Sequence, residues 1–570
     1  MLLDLPAEIL LAIAKQVAEK KDLKHLCEVS TYLYSIAIPI LYERITVSPQ
    51  DEDLLDNIDV SPFVRTRYTT RNLLSHTKNI EVASQFHTRT RNRCVHSDDW
   101  VWSPFDDSEV EHPSIGRLAA NLMPLLEGCR INSLRSFTWA LGTCIPREII
   151  GCSGYLPLKQ KLIESIRLIT DGACDYNLNF QSPINLSDFT HLKKLSWSGL
   201  RSENDMETLQ DTIKQVSHQL VELELDFINW SEVQAALFVD DDDSDTFFVR
   251  NILELPPKST TCMFPALQIL SLSGLSFESA AEEMSYAFDF GSLRSLKLRF
   301  CFGWERFLLC GSRLNRPTRL KCLEIQSAIS YEESVEESVS EFLRSFHGLE
   351  QLAISTGSPA WALDIWRAAL HHKSTLKAFA HHQRNINLDE DSPYFEEECD
   401  NPDLSLTLVD KEMAEWTRIP SQQPLTGLDL EFLGLCCDPE LLTGLIDLIV
   451  SNSATYQSSQ SEGSGEYESL ELTKSLHDLA QWAFGPKGLP SLEVIVYGDF
   501  SYEGRYVHSN VFLCRNVGLH QISEQHMVYK TFRHFSRDGR RQRDLLLVRA
   551  LLDKYSSTLA ACPTGPLLQN

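Results

Sequence analysis

Two histidine doublets, His371-His372 and His381-His382, are the first places to look for chemistry, because imidazole is a common metal ligand. Adjacent residues on a strand or helix point in different directions, so neither doublet presents two ligands to one ion. The fifteen cysteines contain no C-x-x-C pair and no regular ladder, which leaves the histidines without supporting ligand spacing. Asp240-Asp241-Asp242-Asp243-Ser244-Asp245 has the look of a calcium loop, but it lacks the glycine and the terminal glutamate of an EF-hand. No phosphate loop, G-x-S-x-G elbow or H-E-x-x-H helix is found. The residues thus predict no catalytic centre, no metal and no cofactor. The expected activity is recognition.

Composition narrows the partners. The chain has 570 residues, 43% of them apolar, and a formal net charge of −27. Such an acidic chain is a poor general ligand for nucleic acid, which is held by Lys and Arg on phosphates. No run approaches the ~18 apolar residues of a membrane span. Asp4 and Glu8 interrupt the apolar start, with no basic residues ahead of it, so no secretory signal is expected. The expected location is cytoplasmic or nuclear, with reduced thiols.

The elements that must carry recognition begin at the N-terminus, where three short helical patterns follow one another. Pro6 suits a first helical turn, and Ile9, Ile13 and Val17 recur every four residues with Leu10 beside them. Asp22 is the expected cap of a second helix bearing Leu23, Leu26 and Val29, and Ser30 or Thr31 that of a third, ending near Pro39. This arrangement resembles the F-box, through Leu5, Pro6, Glu8, Ile9, Leu10, Ile13, Asp22, Leu23, Leu26, Val29, Ser30, Pro39, Leu41 and Tyr42. The resemblance implies a three-helix unit docking on a Skp-type adaptor, and through it a cullin–RING ubiquitin ligase. It also places Leu5, Pro6, Ile9 and Leu10 at or near the contact, assisted by Leu41 and Tyr42. The competing reading is a helical cap that merely covers the next domain.

Beyond it an L-x-x-L-x-L pattern recurs. It starts at Leu134, Ile163, Leu192 and Leu220, in steps of 29, 29 and 28 residues, and again at Leu267, Leu293, Leu320, Leu349 and Leu376, in steps of 26, 27, 29 and 27. Looser copies start at Leu425 and Leu492, with another near Thr77. Amphipathic patterns lie between, such as Met206, Leu209, Ile213 and Val216, or Val335, Val339, Phe342 and Phe346. Strand, helix and strand at this spacing predict an α/β fold, a parallel sheet with outer helices. The pattern resembles an irregular leucine-rich-repeat solenoid. Family repeats place Asn or Cys three residues after the last strand leucine, and only Cys301 does so clearly here. An unrelated α/β repeat stays open.

The expected organisation is an F-box over 1–46, a linker and irregular first repeat over 47–125, repeats over 126–515, and a C-terminal cap and tail over 516–570. Acidic insertions near 240–258 and 387–403, and a Ser/Gly-rich one near 451–469, read as mobile loops. A strand is expected over 507–514 and a capping helix over 540–555. Residues alternating with the strand leucines should form a concave substrate face, with Lys194, Glu222, Glu224, Asp226, Lys297 and Arg299 as candidate contacts. Aromatic residues at strand ends, Trp197, Phe227, Trp230, Phe300, Phe302 and Trp304, are expected mostly in the core, with some on the rim. The implied function is substrate recognition for an SCF-type ligase, with an unknown protein as substrate. The alternative is a repeat scaffold whose F-box serves no ligase, and an enzyme is a distant third.

Overall fold

The computed structural model describes residues 5–17, 19–50, 54–64, 73–84, 94–96, 113–172, 174, 184–200, 202–227, 245–314, 316–327, 335–356, 362–383, 427–436, 474–486, 488–497, 511–515, 529–532 and 554–555. The chain divides into two units, Met1–Asp289 and Phe290–Asn570. The expected insertions at 387–403 and 451–469 lie outside the described residues, as do Trp230 and all of the expected helix over 540–555 except Lys554 and Tyr555.

The first unit opens with helices α1 (Ala7–Lys15), α2 (Lys20–Val29) and α3 (Thr31–Leu41). Pro6 is the N-cap of α1, and its carbonyl accepts from the Ile9 and Leu10 amides, both at 3.1 Å. Glu19, not Asp22, caps α2, and Asp22 lies inside its first turn near the positive end of the helix dipole. Ser30 caps α3 as expected, its hydroxyl accepting from the Leu33 amide at 3.1 Å. That helix runs through Pro39 to Leu41, the proline sitting within its last turn. The core of the three is built by Leu10, Ala14, Leu23, Leu33, Ile36 and Ala37, with Val17, Leu26 and Leu41 packed on it. The inward stripe of α1 is therefore 10, 14 and 17. Of the expected periodic residues, Val17 packs on the core while Ile9 and Ile13 are exposed, because α1 is apolar nearly all round and periodicity alone does not choose its face.

Seven parallel strands follow in chain order: β1 (Arg44–Val47), β2 (Asn79–Ala83), β3 (Ser136–Ala140), β4 (Ser165–Ile169), β5 (Lys194–Ser198), β6 (Glu222–Asp226) and β7 (Ile269–Ser273). The ladder thus begins already at Arg44, across residues expected as F-box end and linker. Alternation fixes its faces: in β6, Leu223 and Leu225 are buried while Glu222, Glu224 and Asp226 stay half-exposed. The buried strand residues share the core with helix residues such as Met206, Leu209, Ile213 and Val216. Helix Glu203–Val216 starts with a capping box, in which Ser202 and Asp205 bond one another's backbone amides.

The second unit repeats the scheme with β8 (Ser295–Arg299), β9 (Cys322–Gln326), β10 (Gln351–Thr356), β11 (Ala378–Gln383), β12 (Phe432–Cys436) and β13 (Val494–Tyr497), all parallel. Two antiparallel strands, β14 (Val511–Arg515) and β15 (Tyr529–Phe532), end it. The strand expected over 507–514 is thus β14. The copy expected to start at Leu425 starts instead at Leu430, with Leu433 and Leu435 as its buried pair.

One backbone device recurs at every described parallel rung within each unit. The carbonyl just before a strand accepts two consecutive amides of the next rung. Glu43 takes Lys78 and Asn79 at 2.9 and 3.0 Å, and Glu164 takes Lys193 and Lys194 at 2.8 and 3.0 Å. In the second unit, Lys321 takes Glu350 and Gln351 at 2.8 and 2.9 Å. Charged side chains often pair along the same row, as in Lys78–Glu43, Lys193–Glu164 and Lys321–Glu350, each at 2.8 Å. Turns past β3, β5, β7 and β8 hold left-handed residues, Gly142, Gly199, Gly274 and Phe300. Gly199 has φ +93°, where a Cβ would lie 2.2 Å from the Thr170 carbonyl oxygen. Cys301 does bond its turn, Sγ donating to the Arg299 carbonyl at 3.4 Å.

Of the acidic insertion expected near 240–258, residues 240–244 lie outside the described residues. Residues Phe248–Ile252 form a π-helical turn, and Phe248, Val249, Ile252, Leu253 and Leu255 are buried. Phe248 meets Phe227 edge-on at 6.0 Å. Asp245 accepts a 2.6 Å hydrogen bond from Ser276. The expectation of a mobile loop fails here because apolar residues follow the aspartates directly.

Candidate functional site

With Leu10 turned inward, α1 exposes the adjoining stripe. Leu5, Ile9 and Ile13 lie four residues apart and are 36%, 48% and 45% accessible, with Pro6 also exposed. Leu11, Val29 and Tyr32 add further exposed apolar surface on the three helices. Of the residues expected at an adaptor contact, Leu5, Pro6 and Ile9 are available. Leu10 is not, being 3% accessible, and Leu41 is partly buried against the same core. Tyr42 is half-buried and caps the end of α3; burial, then the neighbouring Tyr34, raise its phenol pKa.

In the first unit the parallel register brings Lys194 opposite Glu222, Ser196 opposite Glu224 and Ser198 opposite Asp226. Lys194 and Glu222 form a 2.8 Å ion pair. This open face therefore presents hydroxyls and carboxylates in rows, with the lysine at one end. In the second unit Lys297 is half-exposed on β8. Arg299, expected as a free contact, is engaged in a bidentate pair with Glu324 on β9, which is 1% accessible. Gln326 also donates to that carboxylate, at 2.8 Å. A guanidinium held this way secures β8 to β9. Phe300 and Phe302, just past β8, are exposed at the rim, whereas Trp197, Phe227 and Trp304 are core residues.

Of the histidine doublets, His371, His372 and His381 have described side chains, and these serve packing. His372 is buried; its Nδ1 accepts from the Leu349 amide at 3.4 Å, and Nε2 lies 2.9 Å from the Leu343 carbonyl oxygen. Burial lowers its pKa to about 4. His371 stacks on His347, and His381 accepts from the Trp366 indole at 2.8 Å.

A different set of side chains converges where the sequence gave no warning. Cys94, His96, Cys144 and Cys174 are all buried, with their ligand-type atoms within 4.8 Å of one another. Cys94 Sγ and Cys174 Sγ lie 3.4 and 3.5 Å from His96 Nδ1. Hydrogen bonds from Cys144 and Cys174, and then from His96, hold the Cys94 thiol well below its ordinary pKa. Sharing those bonds, together with burial, pushes Cys144 well above. The only sequence signal was the C-x-H triplet Cys94-Val95-His96, far from its partners along the chain.

Among the described residues, no helix is long and apolar enough to cross a membrane. Comparison with protein-family models finds none that matches the chain, and comparison with curated proteins finds no match. The functional reading therefore stands on the residues themselves.

Proposed function

We propose that the chain is the substrate-recognition subunit of an SCF-type ubiquitin ligase. Helices α1–α3 act as the F-box that docks on a Skp-type adaptor, and the leucine-rich-repeat-like strands hold a protein substrate. The observation that carries this reading is the exposed stripe Leu5, Ile9 and Ile13 on a helix whose other face already has a core. A small helical unit gains nothing from such a stripe alone, and apolar patches of this kind mark interaction sites. The row of strand carboxylates, Glu222, Glu224 and Asp226, suits a basic protein segment, and it would steer such a partner by charge. Catalysis belongs to the ligase; this chain positions.

The test is capture of a purified Skp-type adaptor by the full chain. Ile9→Asp with Ile13→Asp should weaken capture by well over about thirty-fold, the effect of losing an anchor worth more than about 2 kcal/mol. Both side chains are exposed, so the thermal midpoint should stay at the wild-type value. A wild-type chain that fails to bind the adaptor at micromolar concentration removes the ligase reading and leaves α1–α3 as a cap.

A further inference from the structure

We infer that Cys94, His96, Cys144 and Cys174 form a structural zinc site. The spacing fits a tetrahedron. With Zn–S near about 2.3 Å and Zn–N near about 2.0 Å, tetrahedral edges are about 3.5 Å from sulfur to nitrogen and about 3.8 Å between sulfurs. The two edges from His96 Nδ1 are 3.4 and 3.5 Å, and all four atoms fall within 4.8 Å. That spacing encloses one ion and is too tight to bracket a multi-iron cluster. Three thiols and an imidazole are a soft donor set, which selects zinc over calcium or magnesium. Four protein ligands leave no open position, so the site is structural and not catalytic.

The surroundings support the donors. Thr143 Oγ1 accepts from the Val95 amide at 3.0 Å and lies 3.2 Å from Cys94 Sγ, so its own proton can point to a thiolate. The Thr143 carbonyl is fixed by the buried Trp139 indole at 2.9 Å. The ligands come from consecutive stretches of the ladder. Cys94 and His96 follow β2, Cys144 follows β3 and Cys174 follows β4, each past the carboxyl end of its strand. One ion would tie together three successive connections, those that leave β2, β3 and β4. Packing alone gives no reason for an imidazole and three thiols to aim at one point.

The full chain, purified under reducing conditions without chelator, should contain about one zinc per chain by elemental analysis. Cobalt(II) exchanged into it should show the visible bands of a tetrahedral thiolate site. Cys144→Ser should lose most of the metal, whereas Cys152→Ser, at an exposed cysteine, should keep it. Because the Cys144 variant could lose metal by failing to fold, His96→Cys supplies a second arm. It should retain the ion and strengthen the sulfur-to-cobalt charge-transfer bands. Less than about a tenth of an equivalent of zinc in the wild type would overturn the proposal. So would undiminished loading in Cys144→Ser, a disulfide among the four residues in place of metal, or an unchanged cobalt spectrum in His96→Cys.

Discussion

Ile9 and Leu10 are neighbours with opposite duties, the first exposed and the second locked in the three-helix core. Leu10→Ala should therefore destabilise α1–α3 by about 2–4 kcal/mol, read as a lower unfolding midpoint for that unit, and should harm adaptor capture only through unfolding. His372 makes a pH prediction. As the neutral tautomer carrying its proton on Nε2, it satisfies both ring nitrogens, and a second proton on Nδ1 would face the Leu349 amide. Its folded pKa, about 4, lies below the ordinary 6.5, so the unfolded chain takes up the proton first. The contribution is complete above about pH 6.5 and is lost as pH falls toward about 4, by up to about 3 kcal/mol. Chemical denaturation at pH 7 and pH 5 should show a smaller loss in His372→Gln than in wild type; equal losses would mean His372 is not the titrating group. That His372 and His381 pack in the core accords with the expectation of ordinary packing or surface histidines, since adjacent residues point in different directions. The Cys/His cluster was not readable, since its four members are gathered by turns that only the folded ladder brings together.

At the level of elements, strand positions were readable from the leucine spacing almost throughout, because a buried pair two residues apart leaves little freedom of register. Strands β1 and β15 were not foreseen, and two further kinds of feature escaped. One is the facing of α1, where apolar residues on both sides defeat a period argument. The other is the segment after Asp245, whose run of aspartates masked the phenylalanines behind it. Phe248 is 1% accessible and packs on Phe227. Phe248→Ala should thus cost about 3–5 kcal/mol in the first unit, the price of an aromatic cavity. A shift in thermal midpoint worth less than about 0.5 kcal/mol would return the segment to the status of a loop. Ser202→Ala tests a smaller device, the capping box of helix Glu203–Val216, and should cost about 1 kcal/mol by denaturant titration.

For the whole molecule, the strongly acidic balance makes charge the simplest handle on partner choice. Reversing Glu222, Glu224 and Asp226 to Lys should slow capture of a basic client and weaken its salt dependence. The same number of reversals on the helix side, Glu207 and Asp211 among them, should leave capture nearly unchanged. Equal effects at both places would exclude the sheet face as the binding surface. Fold class and the parallel sheet followed from the recurrence of strand and helix. The choice among partners did not, because single residues on a strand face look the same whether they meet a protein or water.

The doubled acceptance at each rung carries a genetic consequence. Every junction offers the same carbonyl to the same pair of amides, so rungs are interchangeable parts as far as the backbone is concerned. The start-to-start step from Leu192 to Leu220 is 28 residues. Excising Lys193–Leu220 would bring Val221 and Glu222 to the Glu164 carbonyl that now receives Lys193 and Lys194. Losing or duplicating a whole unit is then a gentler change than losing one residue, which would turn every following leucine of a strand to the wrong face. Lineages carrying such a gene are free to lengthen, shorten and reshuffle the sheet face in units, keeping the ladder intact while the side chains it displays diverge.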